Sequence, residues 1–247
     1  MPLIICVQDK KEASKMRVAP LSNQSFGVRN ELKGVIYVKP VKNGATQEGI
    51  ISEALSELEA VEYDKNDIQY MKSLGINPPF QSGKEAVDYL KNQGIPIQYG
   101  KFSDKKVHAC LGRGEDGRAT TFINARYKDS EEKAEILATA EACGHEAGHA
   151  KDNDTSNSIQ EELDNLALNV LTHRAFEKKY PGVFDESNSM IVKDGVNVYP
   201  ELFFEYGTGK TGLKQRVAEK YGHLPAGDEK HPASELAKQI KELDIVA

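Results

Sequence analysis

Residues 145–149 read His-Glu-Ala-Gly-His, an H-E-x-x-H pentapeptide. On a helix, at about 100° per residue, the two histidines stand about 40° apart and one turn apart in height, so both imidazoles can face a single metal ion. Glu146 falls off that axis, which leaves it free to act as general base beside a metal-activated water instead of serving as a ligand. The chemistry this predicts is hydrolysis, with Zn2+ as the cofactor. The surrounding segment, ATAEACGHEAGHA, is small and mostly uncharged, and it holds Gly144 and Gly148. Each glycine costs a helix about 1 kcal/mol relative to Ala, so close packing around a metal or a tight helix crossing must compensate. Cys143 points about 160° away from His145 and reads as a packing residue.

A catalytic zinc takes three protein ligands. Downstream of His149 the acids are Asp152, Asp154, Glu161, Glu162 and Asp164. Spacing predicts a second helix over 158–179, with an apolar stripe of Ile159, Leu163, Leu166, Ala167 and Val170. Glu162 lies on the border of that stripe, and Glu161 almost opposite it, where a charge at a helix N-terminus is reason enough for its presence. A short connection favours antiparallel packing, which returns the start of this helix to the level of His149. Glu162 is therefore the expected third ligand. An electrophilic helper for a tetrahedral oxyanion is open among Tyr199, Tyr206 and His223, though each of these is more often a structural residue. His173 lies about 16 Å along the helix from Glu162, too far to serve.

With these residues the chain resembles the zincin metallopeptidases, and within them the gluzincins, which pair HExxH with a Glu on a following helix. Glu162-Leu163-Asp164-Asn165-Leu166-Ala167 is similar to the segment that carries the third ligand in ImmA/IrrE-type peptidases, and Phe122-Ile123-Asn124 also looks similar. The match spans about residues 95–178. The interval of 13 positions from His149 to Glu162 is shorter than the usual gluzincin one. A metzincin would need Gly at Asp152 and His at Thr155. The resemblance implies an α+β, zincin-like fold, with a small antiparallel sheet packed on the HExxH helix and the Glu-bearing helix. It also implies peptide-bond hydrolysis, with protein or peptide as substrate. Two other readings stay open: a non-catalytic regulatory or interaction protein with a vestigial HExxH, and a zinc amidase acting on a non-peptide bond.

The elements that must position these residues follow from periodicity. A strand is expected at Leu3 to Val7 and an edge strand at Gly34 to Val41, ending near Pro40. Helices are expected from Thr46 to Tyr63 with a cap at Thr46 and Glu48, from Asn66 to Leu74, and from Ser82, whose capping box uses Glu85, to Asn92. Strands at Ile95 to Lys101, Val107 to Leu111 and Thr120 to Tyr127 follow, the last two joined by an Asp116-Gly117 hairpin. The hairpin would offer its edge to an extended substrate by strand addition. Asp129 with Glu132 caps the HExxH helix, Pro181 stops the next one, and a final helix covers Ala233 to Leu243. We expect an N-terminal mixed lobe at 1–94, and at 95–247 the zincin-like domain with a C-terminal helical extension.

Composition narrows the partners. Thirty-two Lys plus Arg against 38 Asp plus Glu give a net charge of -6, the wrong sign for a nucleic-acid binder. No apolar run approaches the roughly 20 residues of a membrane span, and Leu3 to Val7 is too short for a signal sequence. Three widely spaced cysteines argue against a disulfide framework. A cytoplasmic location is the expectation, with export by another route left open. Gly207 to Thr211 is similar to the end of a phosphate loop, but Phe204 stands where that motif needs Gly.

Overall fold

The computed structural model describes residues 6–8, 16–18, 37–40, 49–103, 107–114, 116–152, 157–185, 198–206 and 212–243. The architecture is α+β. Strands β1 (Cys6–Gln8), β2 (Met16–Val18) and β3 (Tyr37–Pro40) precede helices α1 (Ile50–Glu59), α2 (Lys65–Ser73) and α3 (Gly83–Asn92). Strands β4 (Ile97–Phe102), β5 (Ala109–Arg113) and β6 (Ala119–Asn124) lead into α4 (Lys133–Asp152) and α5 (Ile159–Lys179). Helices α6 (Val198–Tyr206), α7 (Gly212–Tyr221) and α8 (Glu235–Lys241) complete the described chain, and none of the described helices is long and apolar enough to cross a membrane.

The sheet beside the HExxH helix is mixed, not antiparallel as expected. β5 and β6 form the hairpin, with Leu111 opposite Thr121 and Gly117 at φ 80 in the turn. β6, not β5, then takes the place beside β4 and runs parallel to it, Ile97 opposite Thr121. The hairpin reversal gives β6 the direction of β4, so the pairing has to be parallel. β3 is not an edge strand: it pairs with β2 and with β4, and Pro40 sits at its end opposite Gly100, where the lost donor matters least. β1 meets β5 at one pair, Cys6 and Gly112, which closes the ladder β1-β2-β3-β4-β6-β5 and occupies part of the hairpin edge expected to stay open.

Local signals explain the helix ends. Asp64 and Ser82 cap α2 and α3 through their side-chain oxygens, and Gly75 and Gly94 follow those helices at positive φ. The Glu85 carboxylate accepts from Gln81 N–H, one residue before the reciprocal partner a capping box would use. α1 starts at Gly49 without a side-chain cap; Thr46 and Glu48, like residues 3–5 and Gly207 to Thr211, lie outside the described residues. The Asp129 cap expected for α4 is absent: Ser130 Oγ accepts from Glu132 N–H instead. Ser158 caps α5 through Glu161 N–H.

α4 is buried on most of its faces, including Ala134, Ala138, Ala140, Cys143, Gly144, Ala147 and Ala150. Small side chains let α1, α3, α5 and the hairpin all approach it. One apolar cluster contains Ile51 and Leu58 of α1, Met71 of α2, Leu137 of α4, Leu163 and Leu168 of α5 and Ile240 of α8, from both sides of the boundary expected at Gly94.

The two glycines of α4 differ. A Cβ at Gly148 would stand 2.0 Å from Asn165 Oδ1 and 3.2 Å from Pro79, whereas at Gly144 it would meet only Leu58 at 3.7 Å. Gly148 thus lies tight against α5 through Asn165, while Gly144 faces α1 with room to spare. Gly148→Ala should lower stability by about 1–3 kcal/mol in chemical denaturation through overpacking. Gly144→Ala should be neutral or raise stability by up to about 1 kcal/mol. Equal effects would show that the crossing is not set by Gly148.

Candidate metal centre

The sequence-predicted residues His145, His149 and Glu162 converge. Their ligand atoms all lie within 4.8 Å of one another, and they form the one such group among the described residues. The two Nε2 atoms are 3.1 Å apart, close to the separation of about 3.3 Å that two nitrogen ligands have on a tetrahedral zinc. Glu162 Oε2 lies 3.8 Å from His145 Nε2, and Oε1 lies 3.6 Å from His149 Nε2. Asn157 donates to Oε1, but Oε2 is buried without a hydrogen-bond partner. An orphaned carboxylate oxygen aimed between two imidazoles is costly to bury, and a divalent cation would satisfy it. The donor set, two imidazoles and one carboxylate, is one that zinc accepts.

The outer side of each imidazole is also fixed. His145 Nδ1 lies 2.8 Å from Asn169 Oδ1, and His149 Nδ1 lies 2.6 Å from Glu161 Oε1. Each Nδ1–H donates outward, so each Nε2 presents its lone pair to the shared point once the ring is neutral. Asn169 went unnoticed in the sequence, and Glu161 was expected to face away from the site. That expectation is corrected: Glu161 is 3 % exposed. A wheel assigns one buried face, but the first turns of α5 are covered all round, from Ile159 through Asn165. Pro225 and Ala226 accept from Ile159 N–H and Gln160 N–H, so the loop after α7 covers the side that the wheel left to solvent.

Electrostatics follows from burial. Desolvation, reinforced by His149, holds His145 down at about 3, so its imidazole is neutral. Desolvation would lower His149 too, but the carboxylates of Glu162 and Glu161 outweigh it and raise its pKa to about 10. Burial pushes Glu162 up, and the charged His149 leads in more than reversing this, leaving it ionised. Glu161 is raised by burial against the pull of His149. The metal-free cluster therefore holds a proton that a cation would displace.

Glu146 lies off the ligand axis and reaches the sheet, where Leu111 N–H donates to its Oε2 at 2.6 Å. Gly114 N–H bonds Arg118 O and Asn124 N–H bonds His108 O, so even-numbered residues of β5 face β6 and Leu111 N–H faces outward. Desolvation raises the Glu146 pKa to about 7. Lys220 of α7, another residue missed in the sequence, adds positive field at His145, Glu146 and Glu162.

The remaining candidates separate. Tyr206 hydroxyl bonds Gln239, and the Tyr199 side chain lies outside the described residues. His223 belongs to the loop that docks on α5 and acts electrostatically with Glu162. His173 pairs with Glu141 at 3.1 Å, away from the ligands. Cys143 is fully buried, its thiol pushed up to about 12 by desolvation, as a packing residue should be. No protein-family model matches the chain, and no match appears among curated proteins or solved structures.

Because Glu161 holds His149, Glu161→Ala should weaken zinc binding about 10–100-fold in chelator competition, while His145→Ala abolishes it. Unchanged affinity in Glu161→Ala would show that this hydrogen bond does not orient the ligand.

Proposed function

We propose that the protein is a zinc-dependent hydrolase that cleaves peptide bonds. The observation that carries this reading is the convergence of His145 Nε2, His149 Nε2 and the unpartnered, buried Glu162 Oε2, with Glu146 beside them. His145, His149 and Glu162 would hold the ion, which when bound lowers the pKa of a water and polarises a carbonyl.

The protein's own groups do the rest. With a pKa of about 7, Glu146 is poised to take a proton from the attacking water near neutral pH and to return it to the leaving amine. Leu111 N–H anchors Oε2, so the other carboxylate oxygen carries the proton. Asn169 and Glu161 keep the imidazoles turned. Lys220 adds positive charge to the field at Glu146.

Strand addition along the hairpin edge is not part of this proposal, because Glu146 takes Leu111 N–H there and β1 pairs at Gly112. That occupied edge favours a second reading, an amidase whose substrate is not an extended peptide.

Metal analysis of untagged protein by mass spectrometry should find about one zinc per chain. Glu146→Gln should keep that zinc and lose about 10²–10⁴-fold of any hydrolytic rate, measured on peptide and simple amide substrates. Protein that stays folded, contains no zinc and takes none up would overturn the proposal; a fully active Glu146→Gln would remove Glu146 from its role.

A further inference from the structure

The loop between α7 and α8 crosses both helix ends that carry the ligands. Its carbonyls at Pro225 and Ala226 accept from the first N–H groups of α5, and Ser234 N–H donates to Gln160 Oε1. Within it, His231 places one ring nitrogen on each helix. Nδ1 lies 3.2 Å from Asp164 Oδ2 on α5, and Nε2 lies 3.4 Å from Asp152 Oδ1 at the end of α4. Both aspartate side chains are only 6 % exposed.

Asp164 is fixed independently, accepting from Asn77 N–H and Gln160 Nε2, each at 2.8 Å. Lys230 Nζ reaches Asp152 as well, through Oδ1 at 3.3 Å and the backbone carbonyl. The loop itself is held rigid: Asp228 Oδ1 accepts from Lys230 N–H and His231 N–H, and Asp228 N–H bonds His231 O. A Cβ at Gly227 would fall 2.3 Å from Ala233 N, so the loop closes only with glycine there.

The Nδ1 hydrogen bond to Asp164 and the Nε2 approach to Asp152 put a carboxylate at each ring nitrogen, a setting that favours the imidazolium. Asp152 is one helical turn beyond His149, and Asp164 is two residues beyond Glu162. We propose that His231 is a positioning residue of the metal centre: as an imidazolium it ties the end of α4 to the start of α5 and so sets the distance between His149 and Glu162. The proposal rests on the metal reading given above and adds to it a tie between the ligand helices, remote from the ion.

The groups facing His231 are Asp152 from α4, Asp164 and Glu161 from α5, and Asp228 and Lys230 from its own loop. The hydrogen bond to Asp164 leads in raising its pKa from 6.5 to about 9, against the effect of burial. A raised imidazole pKa stabilises the fold fully below the unfolded value of about 6.5 and ceases to do so as pH rises through about 9.

The test is zinc affinity of the full chain, by chelator competition, in wild type and His231→Gln. Near pH 7 the variant should bind about tenfold more weakly, in the range of other outer-shell losses. Near pH 10 the difference should close, as the wild-type imidazolium loses its proton. Hydrogen exchange on the metal-free proteins should show faster exchange at residues 149–152 and 159–164 in the variant, with α1 unchanged. If His231→Gln does not fold, Asp152→Asn removes the other half of the bridge and gives the same readouts. Zinc affinity within about twofold of wild type near pH 7 overturns the proposal. If wild type binds no zinc, the metal reading fails by itself; unchanged exchange at the two helix ends then overturns the tie as well.

Discussion

Two half-buried imidazoles and a buried carboxylate meet where α4 crosses α5, and a lone charge would be expensive to hold there. Their burial depends on how closely the two helices approach. Gly148 lets the Asn165 side chain lie against the α4 backbone, and Asn165 in turn sits 3.1 Å from His149 Nδ1. A wider crossing would part Glu162 from the histidines and open the cluster to water. The small residues of α4 serve the same end on its other sides, where α1, α3 and the hairpin close in.

Charge at the crossing is arranged in layers. The inner layer is His145, His149 and Glu162; the next, Asn169, Glu161 and Leu111 N–H, orients it. Beyond these, Asp152, Asp164 and His231 link the helix ends, while one turn deeper Glu141 and His173 form a separate buried pair. Low dielectric strengthens each favourable contact in such a network and makes each missing one costly, so the layers are mutually dependent.

Much of this was legible in the amino-acid sequence, because its signals are local. The H-E-x-x-H spacing, the Ser82 cap, the Asp116-Gly117 turn and the apolar stripe of α5 each act within a few residues, and each has its counterpart in the structure. What escaped depends on distant chain. Nothing near Glu161 announces that Pro225 and Ala226 will cover it, so one-faced wheel arithmetic sent it to solvent. The parallel pairing of β4 with β6 and the interior place of β3 are choices of strand order, on which period-2 alternation is silent. Asn169, Lys220 and His231 have ordinary surface-like identities and acquire their roles only through packing.

The docking of Pro225 and Ala226 carbonyls on the first N–H groups of α5 also bears on the order in which the molecule assembles. A helix N-terminus needs acceptors for its leading N–H groups, and here they are supplied by residues synthesised more than 60 positions later. While the chain emerges from the ribosome, α4 and α5 can form and meet, yet the turn bearing Glu161 and Glu162 lacks its outer wall until Pro225 and Ala226 arrive. Maturation of the centre is thereby coupled to synthesis of the loop after α7, and a chain that has not reached that loop holds its acidic residues in water.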